Sequence, residues 1–555
     1  QSEYSLKQWP NVLKALEPLL AAAPKGREFD QLEFLVGESY YRQENWAKAA
    51  EICLAFAEAK PKSTNADTAL LMTGLANEKL DKKAEAIAAY QKLEKDYPES
   101  AQIAAGRVQL GILMYEDKKF AEAKAALAKV AGLAKHELKP KAQYFLAWVE
   151  VGQDKPADAA KLFGALADAN PQHKLAADAR LQQGMMLFKA EQFPETQAAL
   201  MKFIADNAGH KENDVATYHI GASQKEQEDW AGALASFAKV DVKSDWKDDA
   251  LYQSAWCEKG AGKKEAAAPH YTALLKDFPE SPLANNATLE LAEINFEAKN
   301  LDDVVKDLQA MIAKKPEAKL LAGAQYRLGW ALFEQKKFAD GAKAFEAMLP
   351  NADPSVRVTA AWQAGECRWN TKEYPLALAN YQKAVAAKKP EEKEQAVLQE
   401  QALLRTGQCQ DQLGKWPEAE AIFKQFIGAH PKHDQIRAAQ YGFAKALKSQ
   451  KKYDEALAAF APVLEEGIRD ELGAQAQFLV GECHLEQEEF DKAIAEYNKV
   501  DSNYAFPDWQ SKAVFEMAVA LSRLGEAGKA KAQYERLIDK FPDTEAAKAA
   551  KAKLN

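Results

Sequence analysis

Cysteine is scarce in this chain: five in 555 residues, running from Cys53 to Cys483, with no CxxC pair among them. An odd, dispersed set excludes a disulfide framework and offers no zinc spacing. Long apolar runs are missing as well, so no stretch is fit to cross a bilayer as a helix. Neither sign of charge dominates. The net charge is −9, with lysines mixed among glutamates rather than clustered, which argues against nucleic acid as a partner. Catalytic signatures are lacking too: no HExxH, GxSxG or Walker sequence appears. "KGAGKKEA" at 259–266 lacks the GxxxxGK[ST] pattern of a phosphate loop and falls on the turn between two expected helices. In "AHPKHD", His430, His433 and Asp434 could hold a metal only by converging, and the stretch reads instead as a solvated loop. The expectation is a non-catalytic protein with no metal and no cofactor. The first residue is Gln1 and no charged-then-apolar leader is seen, which reads as a processed mature chain or a trimmed boundary.

What is abundant is Ala, Leu, Lys, Glu and Gln, the strong helix formers. They are arranged in a repeat. A small residue recurs at Gly37, Gly74, Gly111, Ala147, Gly184, Gly221, Ala255, Ala292, Gly329, Gly365, Gly407, Ala444, Gly481 and Ala518, mostly 37 residues apart. Counting from this anchor, slot +12 is again small in most copies, as at Ala49, Ala86 and Ala493. Slot +16 is aromatic or Leu (Tyr90, Leu127, Phe345, Tyr497), and proline is frequent at +24 (Pro61, Pro98, Pro542). Two small residues let paired helices approach closely, the large residue fills the remaining space, and the proline ends the second helix. Pro194, Pro375 and Pro417, each ten residues past an anchor, suit the first turn of a second helix, and Ser281-Pro282 reads as a cap followed by the first helical position. Each hairpin is too small to fold alone and needs its neighbours.

This pattern resembles the tetratricopeptide repeat family over essentially the whole chain. The resemblance implies an all-α solenoid, a right-handed superhelix of about fourteen helix-turn-helix repeats. The joints "DYPES" (96–100), "DFPES" (277–281) and "KFPDT" (540–544) resemble bacterial envelope members, among them Tol–Pal-associated coordinators and outer-membrane assembly lipoproteins. That implies a periplasmic location after export, with a cytoplasmic one as the alternative. The chain departs from the lipoproteins in opening with Gln1 rather than cysteine, and from the coordinators in having no heptad segment before its repeats. The expected organisation is a repeat array over 1–387, a seam or long loop at 388–398 where the one spacing of 42 falls, and a second array over 399–555 closed by the lysine-rich helix "EAAKAAKAKLN". Trp9 to Pro24 reads as a second helix at the edge of a repeat. "FAKVDVKSDW" (237–246) and "YNKVDSNYAFPDW" (497–509), seven repeats apart, hint at duplication of a seven-repeat block. Cys257, Cys367, Cys409 and Cys483 occupy slot +2 and read as small, unreactive core fillers.

The first helices carry a second apolar face. By the resemblance, slots −3, +1 and +4 point into the groove of the superhelix, and in the middle of the chain they are aromatic. The candidate partner-binding residues are Trp148, Phe188, Tyr252, Trp256, Phe296, Tyr326, Trp330, Phe333, Trp362 and Trp369. Slot −3 is also open to a packing role against the neighbouring first helix. Glu38, Glu78, Glu293, Glu297, Glu334 and Glu366 flank these slots and favour a partner of basic character, and beyond them the lining turns polar with Gln408, Asp411, Lys445 and Lys448. The expected function is a protein–protein interaction scaffold gripping a peptide or partner protein in an envelope complex. A glycan- or peptidoglycan-binding module and a purely architectural spacer are the alternatives.

Overall fold

The computed structural model describes residues 8–22, 31–387, 393–465 and 467–554, and of Ser355 the backbone alone. Among the described residues there are 30 α-helices, no strand, and 78% helix. The chain divides into two compact units, Gln1–Leu283 and Ala284–Asn555. Of the expected seam, 388–392 lie outside the described residues, and 393–398 open the helix Lys393–Gln412.

The first unit opens with Trp9–Ala21, whose Leu13, Leu16 and Leu20 pack on Val36 and Tyr40 of the next helix. Seven hairpins follow, from the pair Leu32–Arg42 and Trp46–Ala59 to the pair Lys247–Gly260 and Ala268–Asp277. The second unit also holds seven, from Ala284–Glu297 with Leu301–Ala313 to Pro507–Arg523 with Ala527–Lys540. The helix Glu545–Leu554 then lays Ala547 and Ala550 on Val514, Ala518, Leu537 and Phe541. The sequence kinship of 237–246 and 497–509 has a structural counterpart within each unit. Trp246 lies 4.8 Å from Tyr218, and Trp509 lies 5.6 Å from Phe478; both partners occupy slot −3 of the repeat preceding their tryptophan.

The repeat slots meet as their sizes demand. A Cβ built on Gly329 would stand 2.7 Å from the Phe345 ring, and the same encounter couples Gly74 to Tyr90, Gly111 to Leu127 and Gly481 to Tyr497. Slot +16 thus lies directly on the anchor. The alanines of slot +12 are fully or almost fully buried in every copy that has one. Pro194, Pro375 and Pro417 stand in the first turns of Phe193–Asp206, Tyr374–Ala386 and Trp416–Ala429. Ser281-Pro282 differs from expectation: helix begins only at Ala284, and Ser281 Oγ accepts from the Leu283 N–H at 3.1 Å within the preceding turn. His136, His173, His210 and His433 hold the equivalent joints elsewhere, each accepting at Nδ1 from the N–H two residues on.

One device is shared by all fourteen hairpins. Slot +7 is in the left-handed conformation throughout, from Glu44 (φ 60°) to Gly525 (φ 87°). The N–H of slot +8 donates to the carbonyl of slot +3, as from Lys337 to Leu332 at 2.8 Å. This is the six-to-one closure of a Schellman turn, which ends the first helix and reverses the chain. Glycine is the usual residue at such a φ, yet only Gly262, Gly414 and Gly525 provide it; eleven copies use Asp, Glu or Lys.

Candidate functional site

Two of the three aromatic slots serve the fold in most repeats. Slot −3 packs on slot +16 of its own hairpin rather than only on the neighbouring first helix. Tyr144 meets Phe163, Tyr218 meets Phe237, Tyr252 meets Tyr271 and Trp362 meets Tyr381, with ring centroids 5.4–5.7 Å apart. Slot +4 packs across the turn on slot +9. Phe188 lies 5.8 Å from Phe193, Phe333 5.5 Å from Phe338 and Trp369 5.2 Å from Tyr374. Such edge-on pairs are worth about 0.5–1.5 kcal/mol beyond the area they bury.

Slot +1 is more varied. Trp148 is wedged between Tyr144 and Phe163. Trp256 is 43% exposed, its face covered by Lys259 Nζ at 4.6 Å, and with Trp230 it walls a shallow cleft of about 550 Å³ in the first unit. Slot +4 also varies: Trp369 carries the Arg405 guanidinium on its ring at 4.9 Å.

In the second unit the slots converge. Phe296, Tyr326 and Trp330 line a cleft of about 980 Å³ between the first helices of three successive repeats. Its other walls are Met348, Ala352 and Val356, with Glu293, Glu297, Lys319, Arg327 and Asp353 among them. Trp330 is held rigidly, in edge contact with Tyr326, Phe333 and Phe345 at 5.9–6.3 Å. The helix Ala318–Glu334 has 17 residues against the usual 14, and the extra N-terminal turn supplies Ala318 and Lys319 to the wall. Gly323 lines the cleft without a packing reason: a Cβ there would meet its nearest neighbours only at 3.7 Å and 3.8 Å. A helical glycine costs about 1 kcal/mol relative to alanine, so this position gives up stability and leaves space.

The ten sequence-predicted residues divide between the two units. Phe296, Tyr326 and Trp330 share the cleft, and Phe333 supports it from behind. Trp362 and Trp369 lie in the next repeat, while Trp148, Phe188, Tyr252 and Trp256 belong to the first unit. The flanking glutamates are largely engaged within the chain. Glu38 pairs with Arg42, Glu78 accepts from Gln109 and Tyr90, and Glu293 pairs with Arg327 at 3.1 Å. Glu334 pairs with Lys299, and Glu366 with Arg405. The charge of Glu38, Glu293, Glu334 and Glu366 is thus balanced internally, which weakens the argument from these residues for a basic partner. Sequence reading missed this ladder, although Glu at +1 and Arg at −2 of the next repeat were its visible sign at Glu293/Arg327 and Glu366/Arg405.

The histidine loop is packed rather than solvated. His430 and His433 both lie 5.2 Å from the Phe426 ring and face Glu400 at 3.4 Å and 3.9 Å. Among the described residues no group of three His, Cys, Asp or Glu side chains could hold a metal ion. All five cysteines are free and buried; burial pushes Cys53, Cys367, Cys409 and Cys483 up to about 12 and Cys257 up to about 11.

Hairpins stacked in register, with small anchors and an aromatic filler, define an α-solenoid of helical repeats. The chain belongs to the tetratricopeptide repeat family, whose models together match more than half of it. A tetratricopeptide repeat-like domain matches 237–402, and tetratricopeptide repeats match 441–507, 68–100, 401–433 and 512–544. No curated protein sequence matches the chain. Among solved structures, Naa15/Naa10 bound to HypK-THB is similar at 14% identity and a TM-score of 0.37, over 99% of this chain and 79% of that one. The APC/C hetero-tetramer Cut9-Hcn1 is similar at 13% identity and a TM-score of 0.30, over 88% and 96%. A tetratricopeptide repeat protein from Parabacteroides merdae is similar at 16% identity and a TM-score of 0.28, over 49% and 98%. No helix among the described residues is long and apolar enough to cross a membrane.

Proposed function

We propose that this chain is a non-catalytic scaffold that holds a partner protein through the cleft of its second unit. The observation that carries the reading is the convergence of Phe296, Tyr326 and Trp330 on a space of about 980 Å³ that the packing leaves unfilled. Preformed, mostly apolar clefts with a few polar groups on the rim suit an inserted side chain or short segment. The internal pairing of the other aromatics supports a structural role for them, so the architectural reading holds for most of the array while the cleft is its exception. Stacking on a glycan is less well supported, because the Trp330 ring is already engaged with Tyr326, Phe333 and Phe345. An envelope setting is part of the proposal and rests on the likeness of the "DYPES", "DFPES" and "KFPDT" joints.

Gly323→Leu is the discriminating variant. It adds a helix former where a Cβ has room and pushes a side chain into the cleft, so the fold keeps or gains stability. Capture from envelope extract with wild type should retain a specific protein that Gly323→Leu loses. A partner retained equally by both chains would refute the cleft as its seat.

A further inference from the structure

The first unit holds a groove on another side of its repeats. Slots −1 and +3 lie toward the far side of a first helix from the aromatic slots −3, +1 and +4. In the repeat anchored on Gly74 they are Thr73 and Asn77. These two lie in a groove of about 490 Å³, walled by the second helices Trp46–Ala59 and Lys83–Asp96.

Where slot +3 is polar in three other repeats, a second helix supplies its partner. Glu150 accepts from Lys124, at slot +13 of the preceding repeat, at 2.5 Å. Arg368 donates to Glu346, at slot +17 of the preceding repeat, through bonds of 2.9 Å and 2.7 Å. Gln224 accepts from Ser236, at slot +15 of its own repeat, at 2.7 Å. For Asn77 the three corresponding positions are Ala50, Leu54 and Ala89. None of their side chains can bond it, and all three line the groove. Asn77 is only 7% exposed, and its side-chain amide has no hydrogen-bond partner among the described residues. A buried amide left in this way is costly, and a ligand that reaches it recovers the loss.

The rim adds a sign of charge. Glu51, Glu58 and Glu85 stand exposed there without an ion-pair partner among the described residues. Of the two lysines beside them, Lys92 is held by Asp96 at 3.3 Å, which leaves Lys82 alone to oppose three carboxylates.

We propose that this groove takes an extended basic segment of a partner protein, one of whose peptide groups bonds Asn77. An amide side chain offers a donor and an acceptor together, which is what a peptide group matches; an ammonium would use the acceptor alone. Thr73, whose hydroxyl proton goes to the Ala69 carbonyl at 2.9 Å, keeps its oxygen as a further acceptor. Alanine walls let a main chain come close, and the rim carboxylates meet basic side chains. The groove belongs to the first unit and stands whether or not the cleft of the proposed function binds anything.

The test uses the full chain and fluorescence anisotropy of a fluorescein-labelled pentapeptide amide, Lys-Ala-Lys-Ala-Lys, with Glu-Ala-Glu-Ala-Glu as its counterpart. Wild type should bind the basic peptide saturably and the acidic one at least about tenfold more weakly. Asn77→Leu should weaken the basic peptide about tenfold without lowering the thermal midpoint, because an apolar side chain replaces an unpaired buried amide. Ala89→Ser, a gentler change, gives Asn77 the partner that Gln224 has and should weaken binding about threefold. Methylating the peptide's backbone nitrogens should weaken it as well, and Gly323→Leu should leave it intact. Equal binding of the two peptides, no binding of either, or undiminished binding in both Asn77→Leu and Ala89→Ser would overturn the proposal.

Discussion

His219 shows how much one buried side chain can determine. It is 8% exposed and donates from Nδ1 to the Val215 carbonyl at 2.9 Å. Around it stand the rings of Phe188, Tyr218 and Trp246, each 5.3 Å away. Burial lowers its pKa below the ordinary value, the bond to Val215 opposing only in part. The unfolded chain therefore takes up a proton near pH 6.5 while the folded chain still refuses it, so stability present above that pH is lost as pH falls. Melting curves from pH 8 to pH 5 should show a steeper loss for wild type than for His219→Phe; parallel curves would mean the ring is not held neutral. The thiols give a second expectation at this scale. With all five buried and raised by burial, a thiol reagent at pH 8 should leave the native chain unlabelled and modify five groups once it is unfolded. Only one of these environments was legible beforehand. Slot +2 marked four cysteines as core, whereas the cage around His219 draws on two helices and the turn at Trp246 and had no local sign.

Among elements, the turn inside each hairpin is the feature that sequence reading did not reach. Anchor, filler and proline are side-chain choices and leave a trace in every copy. The left-handed residue is a backbone choice, and eleven of the fourteen copies hide it behind Asp, Glu or Lys. Only the glycines at 262, 414 and 525 expose it, and they become informative once aligned on the anchors. A non-glycine residue in this conformation costs about 1–2 kcal/mol. Lys336, at φ 59° and with its side chain exposed, should be relieved of most of that by Lys336→Gly. A gain of about 1 kcal/mol in unfolding free energy, read from denaturant midpoints, is the expected result. No gain would mean that the Lys336 side chain contributes as much as the strain removes. The aromatic slots teach a related lesson. Tyr326 and Trp330 looked like Tyr144 and Trp148 in sequence, and the difference lies in what the next repeat brings. On the longer helix Ala318–Glu334 the rings border open space, whereas Trp148 is wedged between Tyr144 and Phe163.

For the molecule as a whole, the period along the sequence already contained the architecture, because each hairpin buries itself only on its neighbours. It did not contain the division at Leu283 and Ala284, which leaves seven hairpins on either side. The helix Glu545–Leu554 covers the last of them. Removing residues 545–555 should uncover Val514, Leu537 and Phe541, lower the melting temperature and promote self-association in sedimentation experiments. A truncated chain that stays monomeric with unchanged melting would show that this cover is dispensable.

The Schellman turns have a further, mechanical consequence. Each one closes a hairpin through its own backbone, so the bond from slot +8 to slot +3 stays within its repeat. Pulled from both ends, such an array has separate seams to yield at rather than a single clasp. Every yielding hairpin should release a similar length of slack, about 130 Å for 37 residues drawn out at roughly 3.5 Å each. The chain would then behave as a ratcheted spring, paying out length in equal steps and regaining it hairpin by hairpin when the load is removed.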